Sequence, residues 1–154
     1  MQRRRHLIVS LSLIILTVGF IWINSALSGA DSGALSERAK GIMRAVLDFL
    51  HFPENIKAFL LQYVRKVAHV TEYTAIGLEL GFLWAGLKKG VQGLWNAFSM
   101  VLTIAVLDET IQLLALSRGP QITDVLLDTV SGIAGILFVY FIWIIISCIK
   151  CAGE

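Results

Sequence analysis

Charged side chains are scarce: Lys, Arg, Asp and Glu make up only 16% of the 154 residues, hydrophobic residues make up 56%, and the mean hydropathy is +0.76. A soluble domain carries roughly a quarter charged residues, so that class is excluded. Cysteine is limited to Cys148 and Cys151 in one CxxC. Without a second CxxC no zinc site is completed, and the pair reads as reduced thiols in a cytoplasmic tail. No Gly-rich nucleotide loop, HExxH pair or internal repeat occurs, and no Ser or Cys nucleophile stands beside a base. The basic residues Arg3, Arg4 and Arg5 are explained by topology, so no nucleic-acid partner is expected.

What the chain does hold is long runs poor in charge. About 20 helical residues cross the roughly 30 Å of hydrocarbon, and four segments qualify: about 7–24, 67–87, 94–116 and 125–149. The expected fold is all-α, a polytopic membrane protein forming one domain over 1–154. Between the first two spans lies an amphipathic helical loop, 25–64, whose apolar positions Ile42, Met43, Val46, Leu47 and Leu50 recur at helical spacing. Pro53 divides it into helices over about 33–50 and 54–64. With Arg38, Lys40 and Arg44 opposite the stripe, the first helix either lies in the headgroup layer or packs across the ends of the spans.

Orientation follows the basic residues. Arg3 to Arg5, Lys88 with Lys89, and Lys150 fall on one side of four alternating spans, so both termini are expected in the cytoplasm. Ser28, Gly29 and Ala30 resemble a signal-peptide cleavage site, but the uncharged core before them is long, which favours an uncleaved first span.

This topology gathers the intramembrane charges in the outer half of the bilayer. His69 and Glu72 lie up to roughly 10 Å deep, Asp108 and Glu109 about 12 Å below Ser117, and Asp128 about 6 Å below Asp124. Helical spacing aligns Lys66, His69, Glu72 and Tyr73 on one face of the second span. Asp108 and Glu109 each stand one turn from Gln112. Asp124 and Asp128 continue downward as Ser131, Gly132 and Gly135, while Gly77 and Gly81 give the second span a small-xxx-small pair. A charge facing lipid costs at least about 2.5 to 3.5 kcal/mol. The acids and the imidazole are therefore expected to converge on one outward-facing polar pocket among three helices, with Arg118 above it as counter-ion. Glu79, deeper, reads as a helix-packing carboxylate; His6 and His51 have no evident partner.

Lys66, His69, Glu72 and Tyr73, then Asp108, Glu109 and Gln112, then Arg118 and Asp124 ahead of a Gly-containing helix resemble the VanZ-like family over about 64–136. Pro120 and Gln121 stand where that family often has Gly and Ser. The resemblance implies a small bacterial membrane protein of four spans, located in the cell membrane. Its founding member is linked to low-level resistance to the glycopeptide teicoplanin, which implies a role in the cell envelope.

Four functional classes follow, the last a proton-coupled transporter, disfavoured because the inner half of the spans holds no acidic relay beyond Glu79. In the first, an acid/base enzyme acts on a lipid-linked envelope substrate, with Glu72 or Glu109 as general base and His69 as general acid. Lys66 and Arg118 hold its anionic headgroup, and Tyr73, Asp108, Gln112, Asp124 and Asp128 complete the ligand site. No cofactor is required in this reading, although the hard ligands of the cluster would also suit a divalent metal. In the second, the same groups pin helices together as an internal ion-pair network. In the third, a non-catalytic protein keeps a lipophilic drug from the outer leaflet. The expected partners are the lipid bilayer and a lipid-linked cell-wall precursor or lipoglycopeptide.

Overall fold

The computed structural model describes residues 1–26, 29–115 and 121–152. Its six helices are α1 (Gln2–Ala26), α2 (Gly29–Phe49), α3 (Glu54–Gln62), α4 (Val64–Gly86), α5 (Gly90–Leu114) and α6 (Ile122–Ala152), and the described residues contain no strand. A helix covers each of the four expected runs, as α1, α4, α5 and α6.

The turns have identifiable causes. Pro53, extended at ψ 146°, separates α2 from α3 as its missing N–H demands. His51 just before it and Lys88 between α4 and α5 take positive φ, 56° and 55°, in the tight returns of the chain. A single residue, Tyr63, breaks α3 from α4.

By length and composition α1, α5 and α6 can each cross a membrane. α4 is comparably long but less apolar, and its place in the bundle explains why. It packs against α1, α5 and above all α6, so much of its circumference meets protein. Tyr73, Ile76, Leu80 and Leu83 of α4 are buried with Ile14 and Ile21 of α1, Val101 and Ala105 of α5, and Ile136 and Tyr140 of α6. The outer helices instead expose Leu16, Phe20, Val106, Leu114, Phe138 and Phe141. Apolar patches of that extent belong against lipid rather than water.

Glycine sets the closest approach. A Cβ on Gly77 would come within 2.0 Å of the Gly132 carbonyl oxygen, and one on Gly135 within 2.4 Å of the Thr74 carbonyl oxygen. The small-residue stripes expected from spacing therefore meet, bringing the backbones of α4 and α6 into contact. Lower down, the Thr17 hydroxyl donates to Glu79 at 2.9 Å, as befits a helix-packing carboxylate. At the far end of the bundle, His6 packs on Phe82 and Gly86, with Nε2 3.3 Å from the Leu83 carbonyl oxygen.

Candidate functional site

The glycine contact fixes what can happen two turns above it. Because α4 and α6 touch at Gly77 and Gly132, their side chains one to two turns toward the other end face each other at short range. His69 of α4 lies with Nδ1 3.4 Å from Oδ2 of Asp128 of α6. One turn along α4, the Tyr73 ring runs nearly parallel to that of His69, at 7° and 6.4 Å between centroids. The Tyr73 hydroxyl faces Asp108 of α5, and both residues are completely buried. Gln112, one turn from Asp108, donates its amide to Asp108 Oδ2 at 2.9 Å and reaches Ser25 Oγ of α1 at 3.3 Å.

Such depth makes hydrogen bonding obligatory, since a buried carboxylate without partners is far costlier than one in water. The site meets that need unevenly. Oδ1 of Asp128, a residue only 3% exposed, has no hydrogen-bond partner among the described residues, and neither has the buried Oδ1 of Asp124.

Above this floor opens a cavity of about 470 Å³. Ser36 and Lys40 of α2 and Gln62, at the end of α3, form one side, and Tyr63 to Lys66 with His69 form the next. Glu109 and Gln112 of α5 and Asp124, Leu127 and Asp128 of α6 close it, with Gln121 at the mouth. Lys66 and Arg65 are exposed at its edge, and Lys40 pairs with Glu37 at 2.7 Å. The basic groups Arg65 and Lys66 thus stand at the rim, with Glu109 beside Gln121, while Asp128 and the His69 imidazole lie at the base.

The expected site residues fall into distinct places. His69, Asp108 and Asp128 offer ligand atoms all within 4.8 Å of one another, with Tyr73 and Gln112 against them. Lys66, Glu109 and Asp124 line the cavity. Glu109 is occupied by the start of α6, accepting the Gln121 backbone N–H at 2.7 Å. Glu72 does not line the cavity; it is half-buried, with the Asn24 side chain of α1 nearby. Arg118 lies outside the described residues. Neither Asn24 nor Ser25 was expected to take part, so α1 adds a fourth helix to a site read as three-walled. The available signal was position: these two are adjacent polar residues closing the uncharged run that begins at Leu7.

A family model described as VanZ/LLP1 matches residues 10–145. The chain belongs to the VanZ/LLP1 family. No curated protein and no solved structure matches it. The VanZ/LLP1 match takes in α1 and the α2–α3 arm as well as the 64–136 region where the motif residues lie, and so includes every element that lines the cavity.

Proposed function

We propose that this VanZ/LLP1 protein is a four-pass bacterial membrane protein with both termini in the cytoplasm, and that its outward-facing cavity binds the anionic headgroup of a lipid-linked envelope molecule. The ligand is a cell-wall precursor or a lipoglycopeptide, and the role is in envelope physiology and low-level teicoplanin resistance. α4 supplies the fourth span; its polar residues are sheltered by α1, α5 and α6, which removes the lipid-exposure cost that its composition suggests.

The observation that carries this reading is the gradation of the cavity. Arg65 and Lys66 at the rim suit a phosphate or carboxylate, while His69, Gln112 and the carboxylates beneath suit the hydroxyl and amide groups of a sugar or peptide. The exposed apolar residues of the arm, Ile42, Phe49 and Phe59 among them, would sit in the headgroup layer and keep the cavity mouth at the depth of lipid phosphates. The test is teicoplanin susceptibility, together with a lipid and cell-wall precursor profile, in cells carrying the wild-type protein, Lys66→Ala or no protein. Lys66→Ala should resemble the null. A Lys66→Ala strain indistinguishable from wild type in both readouts refutes the headgroup site.

A second reading is favoured by one contact. In an acid/base enzyme the pair would be His69 and Asp128, the carboxylate orienting the imidazole, rather than His69 with Glu72, which does not line the cavity, or Glu109, which is engaged by the Gln121 N–H. A covalently altered precursor or drug that appears only with the wild-type protein and vanishes in His69→Ala would favour catalysis. Unchanged chemistry with reduced drug binding to membranes would favour exclusion.

A further inference from the structure

The base of the cavity has a composition that headgroup binding alone does not call for. One imidazole and two carboxylates come from three different helices, α4, α5 and α6, and their ligand atoms lie within 4.8 Å of one another. From this convergence we infer that His69, Asp108 and Asp128 form a site for a single first-row transition-metal dication, zinc or manganese.

Four observations carry the site. Zinc holds nitrogen and oxygen donors at about 2.0 to 2.2 Å, so two donors at tetrahedral angles stand roughly 3.4 Å apart. His69 Nδ1 and Asp128 Oδ2 are separated by 3.4 Å. The remaining separations are at most 4.8 Å, so binding draws those donors together by up to about 1.4 Å. Asp128 is 3% exposed and its Oδ1 has no hydrogen-bond partner among the described residues, so the side chain has coordinating capacity unspent. Asp108 is held by the Gln112 amide at 2.9 Å, and ligating carboxylates are commonly oriented by such a bond. Finally, the donors sit at the base of an open cavity that includes His69 and Asp128, which leaves the remaining coordination positions to water or an incoming oxygen ligand.

The donor types narrow the ion. Magnesium and calcium prefer all-oxygen shells, whereas a mixed imidazole and carboxylate set suits zinc and manganese. Of the five acids and one imidazole that composition offered as hard ligands, the fold selects three. Glu72, Glu109 and Asp124 are placed outside the group.

The site goes beyond the headgroup reading and is tested without any phosphate ligand. The full chain, purified in detergent and stripped with chelator, is equilibrated with Zn²⁺ or Mn²⁺ and its bound metal measured by elemental analysis after dialysis. One ion per chain is expected, with His69→Gln and Asp128→Asn each weakening binding about tenfold or more. The exposed acid variant Glu37→Gln should bind like wild type. On the wild-type protein loaded with Mn²⁺ and labelled with ¹⁵N-histidine, pulsed electron paramagnetic resonance should detect one coupled imidazole nitrogen. That measurement does not depend on how the variants fold. Substoichiometric metal, binding that survives both substitutions, or a manganese signal without histidine coupling overturns the site. Any of these leaves the Lys66→Ala susceptibility test, and hence the headgroup reading, to stand or fall separately.

Discussion

The substitution Gly77→Ala probes the contact on which the site's geometry depends. Its Cβ would lie 2.0 Å from the Gly132 carbonyl oxygen, whereas ordinary contact begins at 3.4 Å, so the two helices must part by about 1.4 Å. The obstacle is backbone, which cannot rotate away as a side-chain tip can. The cost should therefore fall at the upper end of the overpacking range, about 3 kcal/mol. If α4 moves as a rod, the same displacement stretches the 3.4 Å His69–Asp128 contact to nearly 5 Å, beyond hydrogen bonding. The assay is unfolding of the purified protein in mixed micelles with rising SDS, followed by circular dichroism. Gly19→Ala in α1 is the control, because nothing lies within 4 Å of a Cβ there, and removing a helical glycine should leave stability unchanged or raise it by up to about 1 kcal/mol. Gly77→Ala should unfold at clearly lower SDS than either. If it unfolds with the wild type, the close α4–α6 approach is wrong.

Other consequences follow from the arm and from the end of the bundle that holds His6. A nitroxide at Phe59 of the arm, in vesicles, should show deep, oxygen-accessible immersion, and one at Asn55 shallow immersion; equal depths would place the arm off the membrane. At the α2–α3 corner Lys57 donates to both Asp48 and Glu54, and its bond holds the Asp48 carboxyl below the usual carboxylate range. A carboxyl lowered on folding stabilises above its ordinary titration range and ceases to do so as pH falls through the lowered value. Amide exchange over residues 50–62 should thus quicken as pH drops below about 4 in the wild type relative to Asp48→Asn, after correction for intrinsic rates. An identical pH profile for the two proteins would show the pair to be idle. The His6 ring on Gly86 predicts that His6→Ala loosens the packing of α1 on α4, by about 1 kcal/mol in the same SDS assay.

Much of the arrangement was legible before any coordinates. Runs poor in charge located the long helices because the physics of crossing hydrocarbon constrains composition directly, and Pro53 marked the break in the loop for an equally local reason. Neighbouring acids were harder. Asp108 and Glu109 are about 100° apart on one helix, and only one can face the core. Asp108 is fully buried and Glu109 half-buried, because it is the Asp108 side of α5 that packs toward α4 and α6, which spacing within one helix does not encode. The arm was ambiguous for a similar reason. An apolar stripe reads alike against lipid or protein; here Leu47 alone of that stripe is buried, while Ile42 is 69% exposed. Asn24 and Ser25 were missed because their partners, Glu72 and Gln112, are some 50 to 90 residues away and meet them only once α1 packs on α4 and α5.

The account turns on which side of the membrane the cavity opens. In a Cys148→Ser, Cys151→Ser background, Lys66→Cys in intact cells should react with a membrane-impermeant maleimide, while the native Cys148 of the otherwise unaltered chain, exposed at the other end of the bundle, should react only after the cells are permeabilised. Labelling of Cys148 in intact cells with Lys66→Cys silent until permeabilisation would turn the cavity toward the cytoplasm and contradict the proposal.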